Sequence, residues 1–440
     1  MVHLAQTGRL FERLTKSLPK GTDLYATSDA TPHLLMKVRL TGLILCCLAW
    51  PVAAAEEDTA SSGKTDVLMD VNLSLDFTEQ YDSNVFRDAD DDRKVDDWIS
   101  ILSPHAQLGL GYGIFRATLD LDYTQGWYQE SEDDNYQDHW LGSDLRWRFN
   151  HRNELAFRSR FDAAHEDRGT ELTEGGARVV PEPVEFDAQR HELWYQLGTR
   201  QSVGRLVLTG TYYEKQYSNF REFTRFRDYE ENRVMSAFFW NVAGRTGVQF
   251  EATARDINYL TDPTPVSGQP DTLDALATEF LTGVNWNVTG KSNASVLLGY
   301  RQRNFDDNDR EDFSGPSWRI DTRWSPKEHM AFTLLTARED RETNGLGSFI
   351  DVKTTRAGWE MDWNSRFSSV LTLLVDKEDY EGTEDGRVDT NRVARFDFEY
   401  HMRYWLDFGV SLVNERNNSD IDRFNYERNL FLLFMKISNE

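Results

Sequence analysis

A two-residue alternation of apolar and polar positions organises the chain, and the stretch Ile114 to Gln129, IFRATLDLDYTQGWYQ, shows it well. Phe115, Ala117, Leu119, Leu121 and Tyr123 fall on one side of an extended strand, while Arg116, Thr118, Asp120, Asp122 and Thr124 fall on the other. The reason is that successive side chains of a strand point to opposite faces. One such strand fits any half-buried sheet. The same pattern recurs along the whole chain, separated by tight turns and longer acidic loops in alternation. A long series of strands of about ten residues or more, each with one apolar face, predicts an all-β fold: a transmembrane antiparallel up-and-down β-barrel.

Between Val71 and Ser438 the periodicity predicts about 18 strands, an even number as a closed single-chain bacterial barrel requires. Among them are Trp318–Trp324, His329–Arg338, Val352–Trp363, Arg392–Met402 and Trp405–Asn414. Short turns are expected at Gly113, Asn150–Asn153, Ala243–Thr246, Thr289–Ser292, Ser325–Lys327, Asn364–Arg366 and Arg403–Tyr404, built from residues that tight turns favour. Long polar loops fall between them, at Asp82–Trp98, Gln129–His139, His165–Glu185, Ser218–Asp228, Leu260–Asp274, Phe305–Ser317, Glu339–Asp351, Glu378–Asn391 and Glu415–Asn425. Such alternation is expected of a barrel with a periplasmic N-terminus, short inner turns and long outer loops.

The faces assign a wet, charged lumen. Leu145, Trp147 and Phe149 oppose Asp144, Arg146 and Arg148; Leu155, Phe157 and Phe161 oppose Glu154, Arg158 and Arg160; Trp318, Ile320 and Trp324 oppose Arg319, Asp321 and Arg323. With Arg116, Asp120 and Asp122, the charged members of these sets are the candidate lumen residues. In the final strand both Phe431, Leu433, Met435, Ile437 and Leu430, Leu432, Phe434 are apolar, so its orientation is open. Tyr112, Trp127, Tyr128, Trp140, Trp363, Tyr404 and Trp405 sit near strand ends, where interfacial girdles belong. Aromatic strand ends also suit a soluble β-protein, and the signal peptide and turn alternation favour the membrane.

Composition narrows the class. A formal net charge of -25 argues against a nucleic-acid partner, which would need clustered Lys and Arg. The 13 Trp, 17 Tyr and 26 Phe argue against disorder. No composition break divides the strand region into separate domains. Nothing after the N-terminal region approaches the roughly 18 apolar residues of a spanning helix. Both cysteines, Cys46 and Cys47, lie in the apolar segment MKVRLTGLILCCLAWPVAAAEED, which reads as a secretory signal peptide over residues 36–55 cut after Ala55. Lipoprotein cleavage at Cys46 is the rival, disfavoured by bulky Leu45 before it. Residues 1–35 read as a non-native N-terminal extension, 56–70 as a flexible lead-in and 71–440 as the barrel, which places the protein in a Gram-negative outer membrane, against lipid and lipopolysaccharide.

Tyr81, Asp82, Ser83, Asn84, Val85 and Phe86, at the exit of the first strand, form a motif that resembles the start of the putative β-barrel porin 2 family of Gram-negative outer-membrane proteins. The family's association with capsular or exopolysaccharide loci implies a barrel serving polysaccharide export together with periplasmic export proteins. Read from its residues alone, the motif is a strand end followed by an Asx-type turn.

The chain has no GxSxG elbow, no HExxH and no phosphate loop, so the reading is of a non-enzyme that needs no cofactor and no metal. Asp138 beside His139, near Asp133 and Asp134, is the best acid/base candidate, although adjacent strand residues face apart. Asp88, Asp90, Asp91 and Asp92, and separately Asp306, Asp307, Asp309 and Asp312, offer hard oxygens for weak divalent binding, against which stands the plainer reading of hydrated loops. Two functions are compared: a conduit whose inward Trp194 and Tyr213 could stack on sugars, and a surface adhesin or structural scaffold with an incidental or blocked pore.

Overall fold

The computed structural model describes residues 68–439, apart from 177–178, 244–245, 262–271, 288–290, 344, 346 and 384. The expected extension, signal peptide and most of the lead-in therefore lie outside the described residues, as do parts of two predicted short turns. Eighteen strands form: β1 (Leu68–Asp82), β2 (Asp97–Tyr112), β3 (Phe115–Tyr128), β4 (Tyr136–Asn150), β5 (Asn153–Glu166), β6 (Val184–Leu197), β7 (Gly204–Tyr217), β8 (Tyr229–Ala243) and β9 (Thr246–Tyr259), then β10 (Ala275–Asn287), β11 (Ser292–Phe305), β12 (Phe313–Lys327), β13 (Met330–Glu342), β14 (Phe349–Asn364), β15 (Phe367–Glu381), β16 (Val388–Arg403), β17 (Leu406–Ser419) and β18 (Tyr426–Ser438). Each pairs antiparallel with the next, and β1 pairs with β18 from Ser74↔Ser438 to Asp82↔Leu430, so the sheet closes on itself and leaves no edge.

The alternation read from β3 is the wall of this barrel. Leu119 and Leu121 stand 39% and 49% exposed on the outside. Asp120 and Asp122 point inward, where Asp120 accepts a 2.7 Å hydrogen bond from Gln107 and Asp122 lies 3.3 Å from the His105 ring. Cross-strand register settles β18: Leu432 pairs with Ser411 and Gln80 on the inner face and is 4% exposed, while Leu433 is 45% exposed outside. Leu430 and Leu432 join Leu374, Val393 and Val413 in an apolar strip on the inner wall of β15–β18. Gly409, opposite Phe434, leaves room for that ring, since a Cβ there would fall 2.0 Å from its Cζ.

Two expected girdle residues belong inside. Tyr128 pairs with inward Ile99, and Trp140 pairs with inward Asp122 and Asp162 and lies under the Arg160 guanidinium at 4.4 Å. Neighbours along a strand face opposite ways, so Trp127 and Tyr128 cannot both meet lipid. Tyr112, Trp127, Trp363, Tyr404 and Trp405 are exposed on the outside.

The start of β1, the end of β18 and the short turns share one end of the barrel; connections such as 83–96, 167–183 and 218–228 share the other. The loops at that far end are shorter than the hydropathy implies, because the strands run on. β12 starts at Phe313 rather than Trp318, β13 ends at Glu342 rather than Arg338, β16 starts at Val388 and β17 ends at Ser419. A ladder needs only backbone hydrogen bonds. Outside the bilayer it continues with polar residues on both faces, where no apolar rhythm marks it.

Candidate functional site

The inner wall of the half nearest the short turns carries charge in matched sets. Arg146 forks onto Asp144 with two 2.8 Å bonds, and Arg158 reaches Asp144 at 3.1 Å and Glu192 at 2.7 Å. Arg160 bonds Asp162 at 2.7 Å, Arg148 bonds Glu154 at 3.0 Å, Arg319 bonds Glu251 at 3.0 Å, and Arg323 forks onto Glu360 with two 2.6 Å bonds. Arg116 pairs in register with inward Arg146 near the turn end, and Asp321 with Ser295 and Leu335. Arg146, Arg148, Arg158, Arg160, Arg319 and Arg323 are thus held against carboxylates on the same strand or on another. Glu192, Glu251 and Glu360 were missed by sequence reading because no local spacing links them to their arginines. Of the two aromatic candidates, Tyr213 is buried against Tyr229, Ile257 and Tyr259 and offers no free face, and Trp194 packs on Val207, Ala237 and Phe239.

At the far end the Tyr81–Phe86 motif fastens the seam of the barrel. Asp82 accepts from the Asn84 backbone N–H at 3.0 Å, an Asx turn, and from Arg428 of β18 at 2.9 Å and 2.5 Å. The Asn84 amide donates to Asp88 O and Glu427 O at 3.0 and 3.1 Å, and the Ser83 hydroxyl accepts from Asn429 N–H at 2.8 Å. Tyr81 packs its ring on Trp98, Val85 is buried, and Phe86 lies under Arg168 at 5.4 Å. Beside it Arg87, buried, donates to Arg168 O and to Asp167 at 3.1 Å. The motif therefore ties first strand to last and grips loop 167–183.

That loop reaches over the mouth. Glu171 meets Arg227 at 3.5 Å, and Glu174 meets Arg387, between β15 and β16 on the opposite wall, at 2.6 Å. Arg387 is also bonded to Asp389 and sandwiched by Tyr380 and Phe424 at 4.0 and 3.4 Å. Gly175, at φ +67°, presses directly on the Phe424 ring, where a Cβ would stand 2.6 Å from it. Burial at Glu174 outweighs the opposing pull of the Arg387 guanidinium and, with Glu378 and Asp389 nearby, pushes its carboxyl up to about 7.

A second closure comes from the top of the β13–β14 hairpin. The β12–β13 ladder stops at Arg319↔Ala337, although both strands continue. Beyond that point Asp340 bonds Arg255 and lies 3.3 Å from Arg303, Glu342 takes a fork from Arg303, and Asp351 bonds Arg301 and Arg338. From the other face Arg341 reaches Glu378 of β15 at 3.0 Å. Both faces of this hairpin end therefore touch inner-wall residues.

Asp138 and His139 do not converge: Asp138 points inward and bonds His165 Nδ1 at 2.9 Å, while His139 is exposed. In the acidic loops Asp90 caps Asp92 N–H and Lys94 holds Asp91 at 2.6 Å, while Asp307 caps Asp309 N–H and Asp312 caps Phe305 N–H. Among the described residues no group of three or more metal-ligating side chains comes together.

A closed barrel of this strand number, apolar outside and charged inside, defines the class as outer-membrane, porin-like β-barrels. The chain belongs to the Putative beta-barrel porin 2 family, whose model matches residues 71–439. Among solved structures it is similar to the FrpB iron transporter of Neisseria meningitidis in apoprotein form (TM-score 0.49, 11% identity, 79% of this chain and 62% of that one). It is also similar to OpdK of Pseudomonas aeruginosa with vanillate (0.46, 13%, 84% and 99%) and to OprD of the same organism (0.42, 11%, 84% and 95%). The chain thus spans less than two thirds of the length of FrpB. No curated protein matches the sequence.

Proposed function

We propose that this protein is a gated conduit across the outer membrane, serving export of a polysaccharide delivered by periplasmic export proteins, with its N-terminus and short turns in the periplasm. The observation that carries this reading is the charge-lined inner wall, Arg146, Arg158, Arg160, Arg319 and Arg323 with their carboxylates, enclosed by an apolar outer surface. A barrel of this strand number is wide enough for an aqueous lumen, and paired charges on its wall suit hydrated, hydroxyl-rich cargo. Loop 167–183 and the β13–β14 hairpin are the gate, shut in this conformation. The link to polysaccharide export comes from the family motif.

The interlocked mouth is also what an adhesin or scaffold with a blocked pore would need. Planar-bilayer recording separates the two. A conduit gives rare openings in the wild type and long ones when residues 170–180 are replaced by a short Gly-Ser linker, and a deletion strain loses surface polysaccharide. Silence of both forms at all voltages would leave the adhesin or scaffold reading standing.

A further inference from the structure

We propose that Arg303, with Tyr259 and Arg301 beside it, forms a binding site for a solute carboxylate, occupied in the shut barrel by Glu342 of the chain's own hairpin. The site is built as such sites are. Both Glu342 oxygens receive a guanidinium N–H of Arg303 at 2.8 Å, and Oε2 also accepts from the Tyr259 hydroxyl at 2.9 Å. A planar fork onto a carboxylate is the geometry in which arginine discriminates best. The Arg303 guanidinium lies against the Phe305 and Phe349 rings at 5.2 Å, which removes water from one side.

The wall itself supplies Arg303 and Arg301 with little compensation. In register they stand opposite Ala277 and Glu279 of β10, yet the carboxylates paired with them all come from the hairpin: Asp340 with both, Glu342 with Arg303 and Asp351 with Arg301. Among the described residues the buried Nε of each has no hydrogen-bond partner. By contrast Arg233, Arg255 and Arg319 on neighbouring strands have wall carboxylates, Glu231 and Glu251, at 3.0 to 3.2 Å. If the hairpin end lifts, two buried arginines lose their counter-charges, a state that is strongly disfavoured unless another anion enters. On the β12 side the hairpin end is free of backbone pairing, because β13 beyond Ala337 is no longer laddered to β12, while β14 stays laddered to β15 up to Phe349↔Glu381 and is the hinge of the lift.

The hairpin carboxylates are therefore an internal stand-in for cargo, and the cargo they imitate carries carboxylates. Combined with the conduit reading, on which this ligand class rests, it is an acidic sugar of the uronate type. A carboxylate arriving from within the lumen would take the place of Glu342 and hold the gate open.

The test uses the purified full barrel in detergent, trigalacturonate as probe and maltotriose as its neutral counterpart, with thermal stabilisation and direct calorimetry as readouts. Removing the internal competitor by Glu342→Ala should tighten trigalacturonate binding by about tenfold or more over wild type. Arg303→Gln in that background should abolish the gain, and maltotriose should bind none of the forms. Trigalacturonate binding no tighter to Glu342→Ala than to wild type, or no tighter than maltotriose, overturns the proposal. If the double variant fails to fold, Glu342→Ala,Arg303→Lys, which keeps charge and loses the fork, must also lose the gain or the site is wrong. Binding in detergent does not require conduction, so a silent bilayer with the expected binding would reject the conduit and keep the site. A conducting barrel that ignores trigalacturonate would do the reverse.

Discussion

At the scale of single residues, position on the two-residue rhythm decides which solvent a side chain meets. Leu119 and Asp120 are neighbours, yet one is exposed on the apolar outer surface and the other is hydrogen-bonded to Gln107 on the inner wall. Leu119→Arg should impair assembly, since an arginine at mid-bilayer costs roughly 2 to 4 kcal/mol, whereas Asp120→Asn should fold as wild type. Folding yields into lipid vesicles, read by the heat-dependent gel shift of an intact barrel, check the pair of outcomes. The faces were legible because strand alternation is local. Where both faces are apolar, as in Leu430–Ile437, the rhythm carries no sign, and only the pairing of Leu432 with Gln80 and Ser411 supplies it.

At the scale of elements, closure of the sheet and latching of its mouth hang on contacts between distant segments. Asp82 and Arg428 join the first strand to the last and are both buried. Removing Asp82 leaves the buried Arg428 with only its longer 3.7 Å contact to Glu415, so Asp82→Ala should destabilise the barrel by about 3 kcal/mol, and Asp82→Ala with Arg428→Met should recover part of it. Urea unfolding in detergent measures both. The loop latch carries a pH dependence. Glu174 has its carboxyl raised from 4.5 to about 7 in the latched state, so latching binds a proton that the free loop gives up. Stability of the latch is full below 4.5 and is lost as pH rises through 7. Protease cleavage within loop 167–183 should therefore be slower at about pH 5 than at about pH 8, and Glu174→Gln should flatten the difference. The Asx turn within the Tyr81–Phe86 motif was legible from residue types, but its grip on Arg428 and, through Arg87, on loop 167–183 was not. Those partners lie far along the chain, and sequence spacing says nothing of them.

For the whole molecule, the wall charges set what a lumen would pass. Arg158 and Arg160 balance Asp144, Glu192 and Asp162. Replacing both by Gln leaves Glu192 and Asp162 without their arginines and Asp144 with Arg146 alone, so reversal potentials of the open barrel in a KCl gradient should shift toward cations. An unchanged reversal potential would mean that ions do not pass this part of the wall. The same variant should leave the latch at Glu174 and Arg387 intact, because the two sites share no residue.

The sequence by itself determined the architecture. Period-two patterning, turn residues and the alternation of short and long connections are properties of neighbours along the chain, and they sufficed for the strand number, the closed all-β fold and the family motif. The tertiary structure alone decided where the strands end beyond the apolar belt, which carboxylate compensates which arginine, and that loop 167–183 and the β13–β14 hairpin fold across the mouth. Those outcomes depend on ion pairs such as Glu174 with Arg387 and Glu342 with Arg303. Charged residues in a long loop read alike whether they are hydrated or paired, because their partners come within reach only once the sheet has closed.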